Sequence, residues 1–318
     1  MSHGTFATRL VVILAAVALC ASAADIRLGI IGTDTSHVEE FTKILNDDTA
    51  PDHVPGARVV AAYKGGSPDI QSSISRVDQY AEELHSKYGV EIEPDIPTLL
   101  SKVDAILLES LDGRPHLAQA RLVIGAHKPL FIDKPMAATL ADAREIARLA
   151  KEAGVAWFSS SSLRFGDLVA GLKFPDTVGA MAWGPGPFEP HHPLDLSWYA
   201  IHPIEVLYAL MGPGCESVTR ISGQNADVVV GRWKDGRIGT VQANRPSSDY
   251  GAEVFRPRQT VASRPQSSGS YRPLVVEIVK FFQTGKPPFP NEDTLEIFAF
   301  MDAAQRSKEQ GGIPVVLR

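Results

Sequence analysis

The stretch IRLGIIGTDTSHVEEF, residues 26–41, decides the fold. Ile26 to Ile31 read as a buried strand and Gly32 as a tight turn. A helix follows, with Val38, Phe41, Ile44 and Leu45 on one face and Ser36 and Glu39 at capping-box spacing at its start. Strand, glycine turn and helix in this order open a dinucleotide-binding unit. The fingerprint G-x-G-x-x-G, however, is kept only at Gly32, because Asp34 and His37 stand at the second and third glycine positions.

Downstream, the alternation continues. ARVVAAY, VDAILLES, PLFID and VAWFSSSS read as strands, and DQYAEELHSKYG, PHLAQARLVIGAH and ADAREIARLAKEAG as the intervening helices. Thr139 and Asp142 cap the last helix, and Gly154 ends it. This pattern predicts a Rossmann-type parallel sheet over residues 24–160. After residue 160 the texture changes to Gly- and Pro-rich segments, the helical WYAIHPIEVLYALMG, and strands CESVTRISGQ, ADVVVGRWKDG and RIGTVQANR. A long loop over 244–273, with room for one strand, and two helices complete the chain. The fold class is therefore α/β: an N-terminal parallel sheet, then a C-terminal α+β domain over 161–318 on an open, mostly antiparallel sheet. The final helix has the option of packing back on the first domain.

The chain has 318 residues, 44% of them hydrophobic and 21% charged, with a formal net charge of −6. That balance offers no basic footprint for nucleic acid or an anionic membrane surface. Arg9, the apolar run LVVILAAVALC and the small residues ASAA have the layout of a Sec-type secretory signal peptide over 1–23. The run is too short to serve as a stable membrane anchor. Cleavage after Ala23 would remove Cys20 and leave Cys215 alone, so the exported chain, periplasmic or secreted, would carry no internal disulfide. A single Arg in place of a twin-Arg pair implies export of the unfolded chain.

Asp34 raises the main question. A carboxylate there faces a pyrophosphate with a repulsion of about 1 kcal/mol in water and about 4 kcal/mol when partly buried. Either Asp34 bonds the free amides of its own helix, or it turns outward while Thr33, Thr35 and Ser36 bind the diphosphate. His37 is expected to hold the helix away from the strand. Lys64, where the ribose-binding acid usually stands, suits a 2′-phosphate, favouring NADP over NAD. Glu189, His191, His192, Asp195, His202 and Glu205 crowd into seventeen residues, but their spacing matches no zinc motif, so no metal is expected. A sugar pocket walled by Trp198 and Tyr199 is the favoured reading of that segment.

GIIGTDTSH, FIDKP at 131–135, IHPIEVLYALMG at 201–212 and EIFAFMDAAQRSKEQGGIPVVL occur in an order that resembles the glucose-fructose oxidoreductase / inositol dehydrogenase / MocA family. The resemblance spans nearly all of the chain beyond residue 23. It implies hydride exchange between NAD or NADP and a hydroxyl or keto group of a sugar or polyol, and a homo-oligomer formed through the C-terminal sheet. In D-K-P, Lys134 corresponds to the family lysine beside the nicotinamide and the reacting hydroxyl, and His116 to a residue lining the nicotinamide. Gly32, Thr33, Asp34, Thr35, Ser36, His37, Lys64, Ser110 and Asp133 complete the expected cofactor set. His202 matches the family's acid-base histidine, although Trp198 replaces the aspartate four residues before it. Glu205 would orient the His202 imidazole, and Arg164, His191 and His192 join Trp198 and Tyr199 around the carbohydrate. Two rivals stand beside this reading: a non-redox carbohydrate enzyme working by elimination or glycoside cleavage, and an inactive sugar-binding protein.

Overall fold

The computed structural model describes Met1, residues 24–266 and residues 269–318. The segment read as a signal peptide thus lies almost wholly outside the described residues.

The first sheet is built from β1 (Ile26–Ile31), β2 (Ala57–Tyr63), β3 (Glu91–Glu93), β4 (Ala105–Leu108), β5 (Leu130–Asp133) and β6 (Trp157–Ser160). Its order is β3-β2-β1-β4-β5-β6, and its neighbours all pair in parallel. That is the classical doubly wound order, with the switch point between β1 and β4. The connecting helices are α1 (His37–Asn46), α2 (Gln71–Ile74), α3 (Val77–Tyr88), α4 (Ile96–Lys102), α5 (His116–Gly125) and α6 (Leu140–Ala153). β4, β5 and β6 are buried along their whole lengths, as a sheet covered on both faces requires. The Thr139 cap forms as its spacing predicts, accepting from the Asp142 amide at 3.0 Å. The Ser36 cap does not: its side chain caps nothing, and its backbone is already helical.

The second sheet runs β12-β11-β7-β10-β9-β8-β13. Its strands are β7 (Gly179–Pro185), β8 (Cys215–Ser222), β9 (Ala226–Trp233), β10 (Ile238–Asn244), β11 (Gly251–Arg256), β12 (Gln259–Ala262) and β13 (Val315–Val316). All pairs are antiparallel except β7 with β10. The short α7 (Asp167–Ala170) links the two sheets in sequence, and α8 (Ile201–Met211), between β7 and β8, packs on β7 and β10. Residues of β9 and β10 alternate between buried and more exposed positions, so one face of this sheet stays open.

The last helices correct the domain boundary read from the sequence. α9 (Arg272–Thr284) does not belong to the second domain's core. Leu274, Val275, Ile278 and Phe281 pack with Leu28, Val38, Phe41 and Phe131 on the first sheet. α10 (Asn291–Glu309) touches α6 and β6 on one side and β8 on the other, binding the two halves together. Among the described residues no helix is long and apolar enough to cross a membrane.

Candidate active site

A cavity of about 610 Å³ opens where the C-terminal edge of the parallel sheet meets the second domain. This is where open α/β sheets place their ligands. The first domain contributes Thr35, Ser36, His37, Arg76, Leu111 and Lys134 to its wall. The second contributes Trp198, Tyr199, His202 and Tyr250, and the chain before α9 adds Tyr271. Lys134 and His202 therefore share one hollow.

At the glycine turn, Gly32 has φ +92°, and a Cβ there would sit 2.5 Å from the Ser110 backbone. Asp34 neither caps α1 nor turns outward. It is fully buried, and it accepts from the Ser73 hydroxyl at 2.6 Å and the Leu111 amide at 3.0 Å. A carboxylate that would have repelled phosphate is thus committed to protein donors that tie α2 and the β4–α5 loop to the turn. Ser36 is exposed at the mouth of α1, and among the described residues the amides of Thr35 and Ser36 donate to no protein acceptor. Arg76 faces the same cavity. Free helix-terminal amides, hydroxyls and a guanidinium form a donor set that fits a dinucleotide's diphosphate. Arg76 escaped the sequence reading because it lies in no motif. Thr33 is spent on structure instead, its hydroxyl donating to the Val77 carbonyl at 2.8 Å.

The His37 ring lines the interdomain cavity. It stands 2.9 Å from Asp133 Oδ2 and packs against Phe41 and Tyr271. Lys134 Nζ lies 3.7 Å from the same carboxylate oxygen, buried apart from the part that meets the cavity. Burial alone would raise the Asp133 carboxyl, but His37 and Lys134 outweigh it and hold it at about 2.

His202 is held by Ser161, whose Oγ lies 2.7 Å from Nδ1, and not by Glu205. Ser161 also accepts from the Leu163 amide, so its position is fixed. Nε2 is the ring nitrogen left for a ligand. Burial first, and then the neighbouring Lys134 and His37, push the His202 pKa well below its ordinary value. The imidazole is accordingly neutral at neutral pH, as a proton acceptor must be. Tyr199 and Tyr250 meet the ring edge-on, at 5.8 and 5.7 Å between centroids.

Several expected site residues lie elsewhere. Arg164 is buried outside the cavity, paired with Glu205 at 2.9 Å and Asp293 at 3.3 Å, with Phe289 under its guanidinium. Arg164, Glu205 and Asp293 thus clasp the turn after β6 to α8 and α10, and Arg164 and Glu205 do not line the cavity. His192 is also structural, buried against Asp112 at 3.1 Å and Ser197 at 3.1 Å. Burial raises the Asp112 carboxyl, but His192, Arg114 and Ser67 together hold it well below the usual range. His191 is exposed and bonds Glu189 at 2.6 Å. Asp195 is occupied by Arg220 and Lys308. His116 is fully buried, with its Nδ1 3.1 Å from the Met136 carbonyl and its Nε2 2.8 Å from the Ser110 carbonyl. Ser110 donates to Gln119 at 3.0 Å. Lys64 pairs with Asp78 at 2.9 Å on the surface and lies outside this cavity.

A 3-2-1-4-5-6 parallel sheet joined to an open mixed sheet, with a polar cavity at the junction, defines a two-domain protein of the Rossmann dehydrogenase type. Residues 26–160 match the model of the oxidoreductase family with an NAD-binding Rossmann fold. The match lies in the first domain and is to the glucose-fructose oxidoreductase / inositol dehydrogenase / MocA family. Solved structures similar over the whole molecule include a probable dehydrogenase from Thermotoga maritima, 21% identical with a TM-score of 0.72, covering 92% of this chain and 99% of that one. Myo-inositol 2-dehydrogenase from Lactobacillus plantarum is 17% identical with a TM-score of 0.75, over 93% and 100% of the two chains. GenD2 from gentamicin A biosynthesis, in complex with NAD, is 15% identical with a TM-score of 0.76, over 93% and 97%. At these identities the likeness is one of fold. No curated protein sequence matches the chain.

Proposed function

We propose that this protein exchanges a hydride between NAD or NADP and a hydroxyl or keto group of a sugar or polyol. The observation that carries the reading is the joint placement of Lys134 and His202 on one interdomain cavity wall. A bound nicotinamide would supply the hydride acceptor or donor. Thr35, Ser36 and Arg76 would hold the diphosphate. The Lys134 ammonium binds the reacting oxygen and lowers the cost of negative charge on it. His202 Nε2, neutral because its pKa is depressed, accepts the hydroxyl proton, while Ser161 keeps the ring from turning. Trp198 and Tyr199 give the carbohydrate flat faces to stack on.

The test is a panel of polyols and sugars with each dinucleotide, followed by absorbance of the reduced nicotinamide. Lys134→Ala and His202→Ala should each lower turnover at least a hundredfold while leaving the circular dichroism spectrum unchanged. Wild-type turnover in either variant removes the assigned roles.

Two further parts of the reading rest on other observations. Residues 1–23 act as a cleaved export signal, supported by Arg9, the apolar run and Ala21-x-Ala23. N-terminal sequencing of the protein from its native host should begin at Ala24. The open face of the second sheet, where Trp183, Val228 and Val230 remain partly uncovered, pairs with a second copy. Light scattering should give a multiple of the monomer mass, and Val230→Asp should reduce it.

A further inference from the structure

Behind the cavity wall, at the C-terminal ends of β4 and β5, three buried side chains converge. These are His37, Glu109 and Asp133, and one ligand atom from each lies within 4.8 Å of the other two. Glu109 is fully buried, and neither of its oxygens has a hydrogen-bond partner. Asp133 is similarly bare, because His37 Nδ1 approaches it at 2.9 Å without the alignment of a hydrogen bond. Of the twelve buried side-chain polar atoms lacking a partner among the described residues, five are in this cluster. The rest are scattered, so the concentration here needs a cause. Two carboxylates removed from water are costly unless positive charge or donors meet them. Lys134, at 3.7 Å from Asp133, offsets one charge and makes no contact with Glu109 short enough to offset the other.

We propose that His37, Glu109 and Asp133 bind one divalent transition-metal ion of the zinc or manganese kind. One imidazole nitrogen and two carboxylates are a mixed nitrogen–oxygen set that suits such ions, whereas a wholly oxygen set would favour magnesium or calcium. Ligand atoms of one tetrahedral zinc stand roughly 3.3 Å apart, so side-chain shifts of about 1 Å complete the site. Three protein ligands leave coordination open on the His37 side, which borders the cavity. None of the three belongs to a sequence motif for metal, because one comes from a helix start and two from separate strand ends.

The test uses the purified full-length mature chain, stripped with a chelator and free of nucleotide and sugar. Equilibrium dialysis against Zn²⁺ or Mn²⁺ should show one equivalent bound by the wild type beyond whatever Glu109→Gln retains. A Co²⁺-loaded wild type should show visible ligand-field bands that Glu109→Gln lacks. Asp133→Asn serves as the second variant if Glu109→Gln fails to fold. A folded wild type that binds neither ion overturns the site, and so does equal stoichiometry in a folded variant. Because no reaction is measured, this result is independent of the hydride-transfer reading.

Discussion

At the scale of single residues, the cavity is set by which polar groups are already occupied. Asp34 occupies a fingerprint glycine position yet serves the protein, holding Ser73 and the Leu111 amide. Asp34→Gly restores the fingerprint on paper but leaves a buried amide and a hydroxyl without their acceptor. A loss of about 1–3 kcal/mol in unfolding free energy is expected, measured by urea titration. An unchanged midpoint would show that Asp34 holds nothing together. His202 has the opposite status, with one nitrogen fixed and one available. Acting as a base, it must be unprotonated, and its pKa lies well below the ordinary 6.5. Activity should therefore stay level as pH falls through 6.5 and drop only well below it. A kcat/KM profile with its acid limb at or above that value would contradict the burial of this ring.

Elements explain where the remaining expected site residues went. The segment from Glu189 to Glu205 looks in sequence like one polar cluster, but it crosses a loop, a 3-10 turn at Asp195–Ser197 and the start of α8. Neighbouring side chains consequently point to different partners: His191 to Glu189, His192 to Asp112, Asp195 to Arg220 and Glu205 to Arg164. Only Trp198, Tyr199 and His202 of that run reach the cavity. The Arg164–Glu205 pair is a joint between elements, and it is nearly dry. Removing the guanidinium strands a buried carboxylate, so Arg164→Met should cost about 3–5 kcal/mol, and adding Glu205→Gln should recover part of it. Calorimetry of the single and double variants decides this. A loss below about 1 kcal/mol in the single variant would place the pair among weak surface bridges. The strands of the first sheet were legible because buried parallel strands announce themselves as apolar runs. β3 and α4 were missed: three residues carry no pattern, and Ile96 to Lys102 is too short to show a period. β7 was hidden by the glycines and proline at its ends, which flank only four other residues, Ala180 to Trp183. Gly184 lies so close to the Tyr250 ring that no Cβ would fit.

Across the whole molecule, the site belongs to neither domain alone. Lys134 follows the fifth strand of the first sheet, while His202 opens the helix that carries the second. α10 locks the two sheets together, and α9 returns to the first, so the cavity is framed by chain separated by more than a hundred residues in sequence. Such pairings are legible only through family resemblance, which supplied Lys134 and His202. Ser161, Arg76 and Glu109 match no motif and became visible only as neighbours in space. The central claim is that this cavity holds a dinucleotide despite the lost glycines. Its most direct test is the melting temperature of the purified protein with saturating NAD or NADP. At one hundred times the dissociation constant, binding should add about 2.7 kcal/mol and raise the midpoint by about 4 °C, with Arg76→Ala reducing the shift. No shift with either dinucleotide, in protein that is folded and unfolds cooperatively, would contradict the account.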